Sequence, residues 1–183
     1  MNRLSHILSI VSLLICMHAS AQQKKWASRG YRKVDTKVID YNDPEKNGRL
    51  TELIDRKGNV LESWEWNEKD RLVKHVVSNY TKRKFQSTVY SGNDSIRSVE
   101  IIDYDQKGRK IRQFFSDKRK GKEEEVIIEY DKWGNKILER LLKNNKLSLV
   151  KAFSYNSEGL LIKQINTDAD GKITYEKTFQ YSK

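Results

Sequence analysis

From Lys33 onward apolar and polar residues alternate with a period of two rather than 3.6, which predicts strands and not helices. The strand-like runs close on a triplet of the form apolar–polar–aromatic. It occurs as Ile39-Asp40-Tyr41, Trp64-Glu65-Trp66, Ile102-Asp103-Tyr104, Ile128-Glu129-Tyr130, Phe153-Ser154-Tyr155 and Phe179-Gln180-Tyr181. Successive strand side chains point to opposite faces, so each triplet is expected to turn two large groups inward and one polar group out. The closing aromatics, Tyr41, Trp66, Tyr104, Tyr130, Tyr155 and Tyr181, are therefore expected to be structural repeat positions.

Five of the six triplets run directly into turn chemistry. Asp105-Gln-Lys-Gly108, Asp131-Lys-Trp-Gly134 and Asn156-Ser-Glu-Gly159 have Asp or Asn first and Gly fourth; Asn67-Glu-Lys-Asp70 replaces the Gly by Asp. A longer version, 42–48, holds the only proline, Pro44. The first side chain can accept hydrogen bonds from turn amides, and Gly108, Gly134 and Gly159 can take the left-handed conformation that reverses the chain. A second set of polar breaks lies between the triplets: 55–58, 117–122, 143–146 and 168–171. One unit is thus a turn, a strand, a turn and a strand, a β-hairpin with its connector.

The triplet aromatics are 25, 38, 26, 25 and 26 residues apart. The long interval leaves room for one extra strand, 85–90, bracketed by breaks at 81–84 and 91–94. Lys136 to Leu142 (KILERLL) resembles a helix in isolation, but its length and flanking turns favour a strand. The expected fold is all-β: an antiparallel meander of about twelve strands built from β-hairpin repeats, curled or partly wrapped on itself to cover its aromatic face.

The motifs YDQKG (104–108), YDKWG (130–134) and YNSEG (155–159), with WNEKD (66–70) as a degenerate copy, resemble the repeats of the RHS/YD-repeat family. The resemblance covers Tyr41 to Tyr181. It implies a hairpin-repeat sheet in an exported, bacterial protein. In large family members such repeats wind into a shell around a passenger. This chain has about half a dozen units, and no passenger or protease-like motif follows them.

The N-terminus reads differently. Arg3, an apolar run over 7–17 and Ala19-Ser20-Ala21 have the form of a secretory signal peptide cut before Gln22. The run is far shorter than the ~20 residues of a membrane span. The expected organisation is a signal peptide, 1–21, a flexible lead-in, 22–32, and a repeat domain, 33–183. That implies export to the periplasm, outer surface or medium, with no membrane span after processing. The leader carries the only Cys, so the mature chain can form no disulfide. It also carries one Arg and no acid, so its removal lowers the net charge from +11 to +10.

Chemistry is sparse. Cysteine nucleophiles are excluded from the mature chain, and no Gly-x-Ser-x-Gly elbow or phosphate-binding Gly loop occurs. His75 is the only mature histidine, too few for a His/Cys zinc site. TDADG at 167–171 starts like a calcium loop but lacks the distant Glu. No catalytic residue, metal or cofactor is assigned.

The candidate binding residues are the basic turns Lys82-Arg83-Lys84 and Lys118-Arg119-Lys120 with Lys122, and Trp133 at a loop tip. Lys143 and Lys146 form a weaker third cluster. Counting strands puts Lys82–Lys84 at the end of the sheet opposite the other two, which predicts diffuse positive charge. The sequence favours a non-enzymatic module presenting a sheet surface to a protein or glycan at the cell envelope. Its rival is a binder of acidic polymers through the basic turns, and a carboxylate-based glycan-active enzyme stands third. Edge strands near 34–41 and 173–181 could pair with a second copy.

Overall fold

The structure, a computed structural model, describes residues 23–42 and 47–182. The expected signal peptide, 1–21, and Pro44 lie outside the described residues. The fold is all-β. Its strands are β1 (Lys33–Val38), β2 (Gly48–Ile54), β3 (Val60–Asn67), β4 (Leu72–Tyr80), β5 (Lys84–Ser91) and β6 (Ile96–Tyr104), followed by β7 (Lys110–Asp117), β8 (Lys122–Tyr130), β9 (Lys136–Lys143), β10 (Lys146–Tyr155), β11 (Leu161–Asp168) and β12 (Ile173–Thr178). They form one meander in sequence order, with β1 and β12 as its two ends, so the sheet does not close into a barrel. The extra strand is β5, and KILERLL is β9. Among the described residues no helix is long and apolar enough to cross a membrane.

The chain divides into two compact units. The first holds the described residues up to Ser78 together with Val89–Ser95; the second holds Asn79–Thr88 and the residues from Ile96 onward.

The turn chemistry accounts for the register. At 105–109 the Asp105 N–H donates to the Arg109 carbonyl (2.9 Å) and the Gly108 N–H to the Asp105 carbonyl (3.1 Å). Asp105 Oδ1 accepts from the amides of Lys107 and Arg109, at 2.8 and 2.9 Å. The same pair of backbone bonds recurs in the turns that begin at Asp55, Asn67, Ser91, Asp131, Asn156 and Asp168. In each, the fourth residue has positive φ, from 54° at Asp70 to 102° at Gly134. This is the hairpin loop in which a left-handed residue creates a bulge. The bulges follow as register shifts at 65/66, 103/104, 129/130 and 154/155, one step before the triplet aromatic. The break at 143–146 is a tighter, two-residue turn with Asn144 and Asn145 at φ 48° and 62°.

Three expectations need correction. First, the two outermost triplets are not strand ends: β1 stops at Val38 and β12 at Thr178, so 39–41 and 179–181 lie beyond them. Tyr41 is 88% exposed. These copies border only one neighbouring strand, so backbone pairing gives out sooner than the side-chain pattern.

Second, large groups do not all face one way. Directly opposed residues in an antiparallel pair share a face. One face of the second unit carries Ile102, Gln113, Val126 and Leu141 in a row; the other carries Ile101, Phe114, Glu125 and Leu142. Runs such as Ile101-Ile102 and Ile127-Ile128 must send consecutive apolar side chains to opposite sides. The result is a thin core. Among the described residues only Ala27, Ile54 and Ile128 are buried apolar side chains, with Thr51 and Ser116 the buried polar ones.

Third, the lead-in is not loose. Residues 23–28 form a short helix that lies against the turn after β2. A Cβ at Gly58 would sit 2.7 Å from the Lys24 Cα. Gln23 Nε2 donates to Glu52 Oε1 (3.1 Å), and Ala27 is one of the three buried apolar residues. Polarity alone made this segment read as a loose tail, whereas one small apolar residue and a close-approach glycine dock it.

Cross-strand polar pairs supplement the missing core. Glu139 accepts from Lys151 on the neighbouring strand (2.6 Å) and from Lys136 in its own strand (2.8 Å). Arg112 links Asp103 and Glu125 across three strands, and Arg140 pairs with Glu129.

Candidate binding surface

Strand parity brings the loops after β4, β6, β8 and β10 to one end of the second unit. Hydrogen bonds fix the first three as neighbours. The loop at 81–84 is held by Thr81, whose N–H donates to the Lys84 carbonyl (2.8 Å) and whose Oγ1 accepts from the Lys84 amide (3.0 Å). The Tyr104 N–H then donates to the Arg83 carbonyl (2.8 Å), which ties this loop to the base of the Asp105 turn.

Arg109 joins that turn to the next. Its guanidinium bonds to the Asp105 carboxylate at 2.7 Å and lies over the Tyr130 ring, 4.3 Å from its centroid. Arg109 Nη1 is buried without a hydrogen-bond partner among the described residues. It lies 3.3 Å from where a side chain on Gly134 would begin. In the Asp131 turn, Oδ1 accepts from the amides of Trp133, Gly134 and Asn135, at 2.9, 2.8 and 2.8 Å.

These bonds shape the charge of the rim. The Arg109 amide, ahead of the other turn donors, holds the Asp105 carboxyl below its ordinary range. At Asp131 burial pushes upward, but the Asn135 side chain and the turn amides together outweigh it, and the carboxyl is again lowered. Both carboxylates are directed into their own turns. Lys82, Arg83, Lys84, Lys107 and Lys132 are exposed and make no ion pair among the described residues. Trp133 is 76% exposed, with Lys132 Nζ 4.4 Å from the centroid of its ring. Sequence reasoning singled out Trp133 and Lys82–Lys84 separately and placed them in no common site. Lys107 and Lys132 were missed, because nothing in a turn sequence shows which other loop lies beside it.

The other basic cluster lies at the opposite end of the second unit, in the loop after β7. The Lys118 N–H donates to the Arg97 carbonyl (2.8 Å), and Lys118 Nζ pairs with Glu123 at 3.4 Å. Arg119, Lys120 and Lys122 are exposed beside it. Asn144 interlocks this loop with the next hairpin: its N–H donates to the Glu123 carbonyl (2.8 Å), and its Oδ1 accepts from the Glu123 amide (2.8 Å). A cavity of about 240 Å³ between them is lined by Ser116, Asp117, Gly121 and Glu123 among others. Carboxylates are interleaved with the cations here.

The first unit holds a cleft of about 590 Å³ bordered by Asp35, Val38, Arg49, Asn67 and Asp70. The Arg49 guanidinium covers Trp66 at 4.2 Å from its centroid. Two of its carboxylates are engaged: Asp35 with Lys33 and Thr51, Asp70 with Arg49. His75 is stacked between Trp64 (5.3 Å) and Tyr90 (5.5 Å), and Nε2 lies 2.7 Å from Glu62. Among the described residues no group of three or more His, Cys, Asp or Glu is placed to hold a metal ion.

Three of the triplet aromatics have a common fastening. The Tyr130 hydroxyl donates to the Lys110 carbonyl (2.9 Å), Tyr155 to Lys136 (2.9 Å) and Tyr181 to Leu161 (2.8 Å). Each closes its repeat onto the first residues of the strand that follows the preceding turn.

No protein-family model matches the sequence, and no curated protein does. Among solved structures, the chain is similar to a protein with unknown function from Bacteroides fragilis NCTC 9343. The two are 10% identical, the match covers 83% of this chain and 95% of that one, and the TM-score is 0.27.

Proposed function

We propose that this is an exported, non-enzymatic repeat protein that presents its β-sheet surface to a protein or glycan at the cell envelope. The observation that carries the reading is the balance of apolar exposure. Three apolar side chains are buried among the described residues, while seventeen large ones, from Tyr31 to Tyr181, remain exposed. Monomeric soluble proteins keep contiguous exposed apolar area small, and patches beyond that mark contact surfaces. In the first unit, Val77 follows His75 on the face of the Trp64–His75–Tyr90 stack, which makes a mixed aromatic and aliphatic patch. The form of the N-terminus supports export, and the likeness to YD repeats supports a bacterial envelope setting. Among the described residues β1 and β12 each pair with one strand only, so strand addition by a client or a second copy belongs to the same reading.

Two measurements test it. Expression of the whole sequence in a Gram-negative host, followed by fractionation and N-terminal sequencing, is expected to give a periplasmic or released product starting at Gln22. Binding of that product to isolated cell envelopes is expected to persist at high salt and to be lost in Val73→Lys/Val77→Lys. Binding that vanishes with salt but ignores these substitutions refutes the sheet-surface reading.

A further inference from the structure

We propose that the rim formed by 81–84, 105–109 and 131–134 in the second unit is a binding site for an acidic polysaccharide. The site belongs to the turns and not to the sheet faces. It rests on the reading above only for the place where such a polymer would be met.

Three observations converge on this rim. The first is contiguity. The Tyr104 N–H bond to the Arg83 carbonyl and the seating of Arg109 on Tyr130 make the three loops one surface. The second is charge. Five cations (Lys82, Arg83, Lys84, Lys107, Lys132) make no ion pair among the described residues, while Asp105 is taken up by Arg109 and its own turn amides and Asp131 by its turn amides. At the opposite end, Lys118 is neutralised by Glu123 and Asp117 stands among the basic residues. The third is Trp133. It is 76% exposed on the rim and offers a flat apolar plate for the C–H face of a pyranose.

Spacing selects the ligand. Successive loops at this end are two strands apart, about 9.6 Å, close to the length of a disaccharide. A uronic-acid polymer, with one carboxylate on every sugar, would present every second charge to Arg83, Lys107 and Lys132 in turn. Single-stranded nucleic acid is less well matched. Its binding grooves stack successive bases on several aromatic side chains, and Trp133 is the one exposed aromatic in these loops.

The test is binding of the purified protein to sodium polygalacturonate, with dextran as the uncharged comparator and single-stranded DNA as the other polyanion. Polygalacturonate is expected to bind, dextran not, and the affinity to fall steeply with salt. Replacing Lys82, Arg83, Lys84, Lys107 and Lys132 by Gln is expected to weaken binding about 100-fold or more. It should also flatten the salt dependence by about one unit of log–log slope per contacting cation. Trp133→Ala is expected to weaken binding about tenfold with the slope unchanged. The control at the other end, K118Q/R119Q/K120Q, is expected to stay within about twofold, since distant exposed charges are screened. All the replaced side chains are exposed, so circular dichroism should be unchanged. No binding at low salt overturns the proposal, as does equal loss from both ends, which would mean diffuse charge. Tighter binding of single-stranded DNA than of polygalacturonate overturns it in favour of a nucleic-acid site. Envelope binding in the fractionation experiment is a separate readout, so either reading can fail alone.

Discussion

Gly134→Ala should cost more than Gly108→Ala, and the difference should vanish without Arg109. Both glycines are the fourth residue of the same turn, and both have left-handed φ, 102° and 78°. A Cβ in that region costs about 1–2 kcal/mol. At Gly108 nothing lies within 4 Å of the added carbon, whereas at Gly134 it meets Arg109 Nη1 at 3.3 Å. Arg109 can give way, but then leaves the Tyr130 ring, a contact of about 0.5–1 kcal/mol at a partly exposed site. Gly108→Ala is therefore expected to lower unfolding free energy by about 1–2 kcal/mol and Gly134→Ala by about 1.5–3 kcal/mol. The assay is urea denaturation followed by circular dichroism and tryptophan fluorescence, run as a double-mutant cycle with Arg109→Ala. In the Arg109→Ala background both substitutions should cost the strain alone. Equal costs in the wild-type background, or a gap that survives loss of Arg109, would refute the idea that consecutive turns are joined through this side chain.

Further outcomes follow from other contacts. Gly58→Ala places a Cβ 2.7 Å from the Lys24 backbone at a φ of +84°, so it should displace the 23–28 helix; faster tryptic cleavage after Lys24 or Lys25 would register it, and unchanged cleavage would contradict the docking. Tyr155→Phe leaves the Lys136 carbonyl without its hydroxyl donor and should cost about 0.5–1.5 kcal/mol in urea unfolding. Tyr181→Phe, at a 56% exposed position, should be near silent, and equal effects would contradict a role for burial. Turn carboxyls contribute to acid sensitivity, beside Asp35 and Glu139, which are also lowered: Asp105 is lowered chiefly by the Arg109 amide, and at Asp55 burial pushes upward but hydrogen bonds from Asn59, Lys57 and Gly58 outweigh it. A depressed folded pKa gives stability that is complete above the unfolded value, ~3.9, and is lost as pH falls through the folded one. Replacing Asp55, Asp105 and Asp131 by Asn should flatten the stability profile below that value and leave its neutral limb parallel to wild type; an unchanged acid limb would place the titration elsewhere.

The turns were the most legible part of the chain because their chemistry is local. Asp105, Asp131 and Asn156 satisfy amides two to four residues away, so the first and fourth positions carry the whole signal. The strand count followed, including β5, since breaks at 81–84 and 91–94 left room for one strand. The facing of side chains was legible only in part. Ile128 is buried as its triplet predicted, but Ile101, Phe114 and Leu142 line the other face, and alternation within one strand cannot show that both faces are half-covered. The short helix at 23–28 was not legible. Its docking depends on Gly58, thirty residues away, and on a single buried alanine. The rim was the least visible, because it depends on which loops become neighbours. That is decided by strand parity and by Tyr104 and Arg83 meeting across a register no local window contains.

The same turn chemistry links the fold to the charge at its rim. A turn of this kind needs an Asp or Asn first, to receive amides, and a left-handed residue fourth; it leaves the second and third positions free. The acidic residue is thus held inward by its own backbone while the free positions project outward. In the 105–109 and 131–134 turns of the second unit those positions include Lys107, Lys132 and Trp133, beside Lys82 and Arg83 of the neighbouring loop. A net positive rim needs no dedicated binding loop in such a sheet; it results wherever basic residues fill the free positions of adjacent turns. The opposite end shows the contrast. There the loop after β7 is not of this type, Asp117 accepts from the amides of Arg119 and Lys120, and Glu123 faces Lys118, so cation and carboxylate meet at the surface. Exchanging 117–122 for a turn with Asp first, Gly fourth and Lys at the two free positions should therefore give the second end a polyanion affinity of its own. Competition binding with polygalacturonate would then show two sites where the wild type has one, and a stoichiometry that stays at one would break the link between turn type and rim charge.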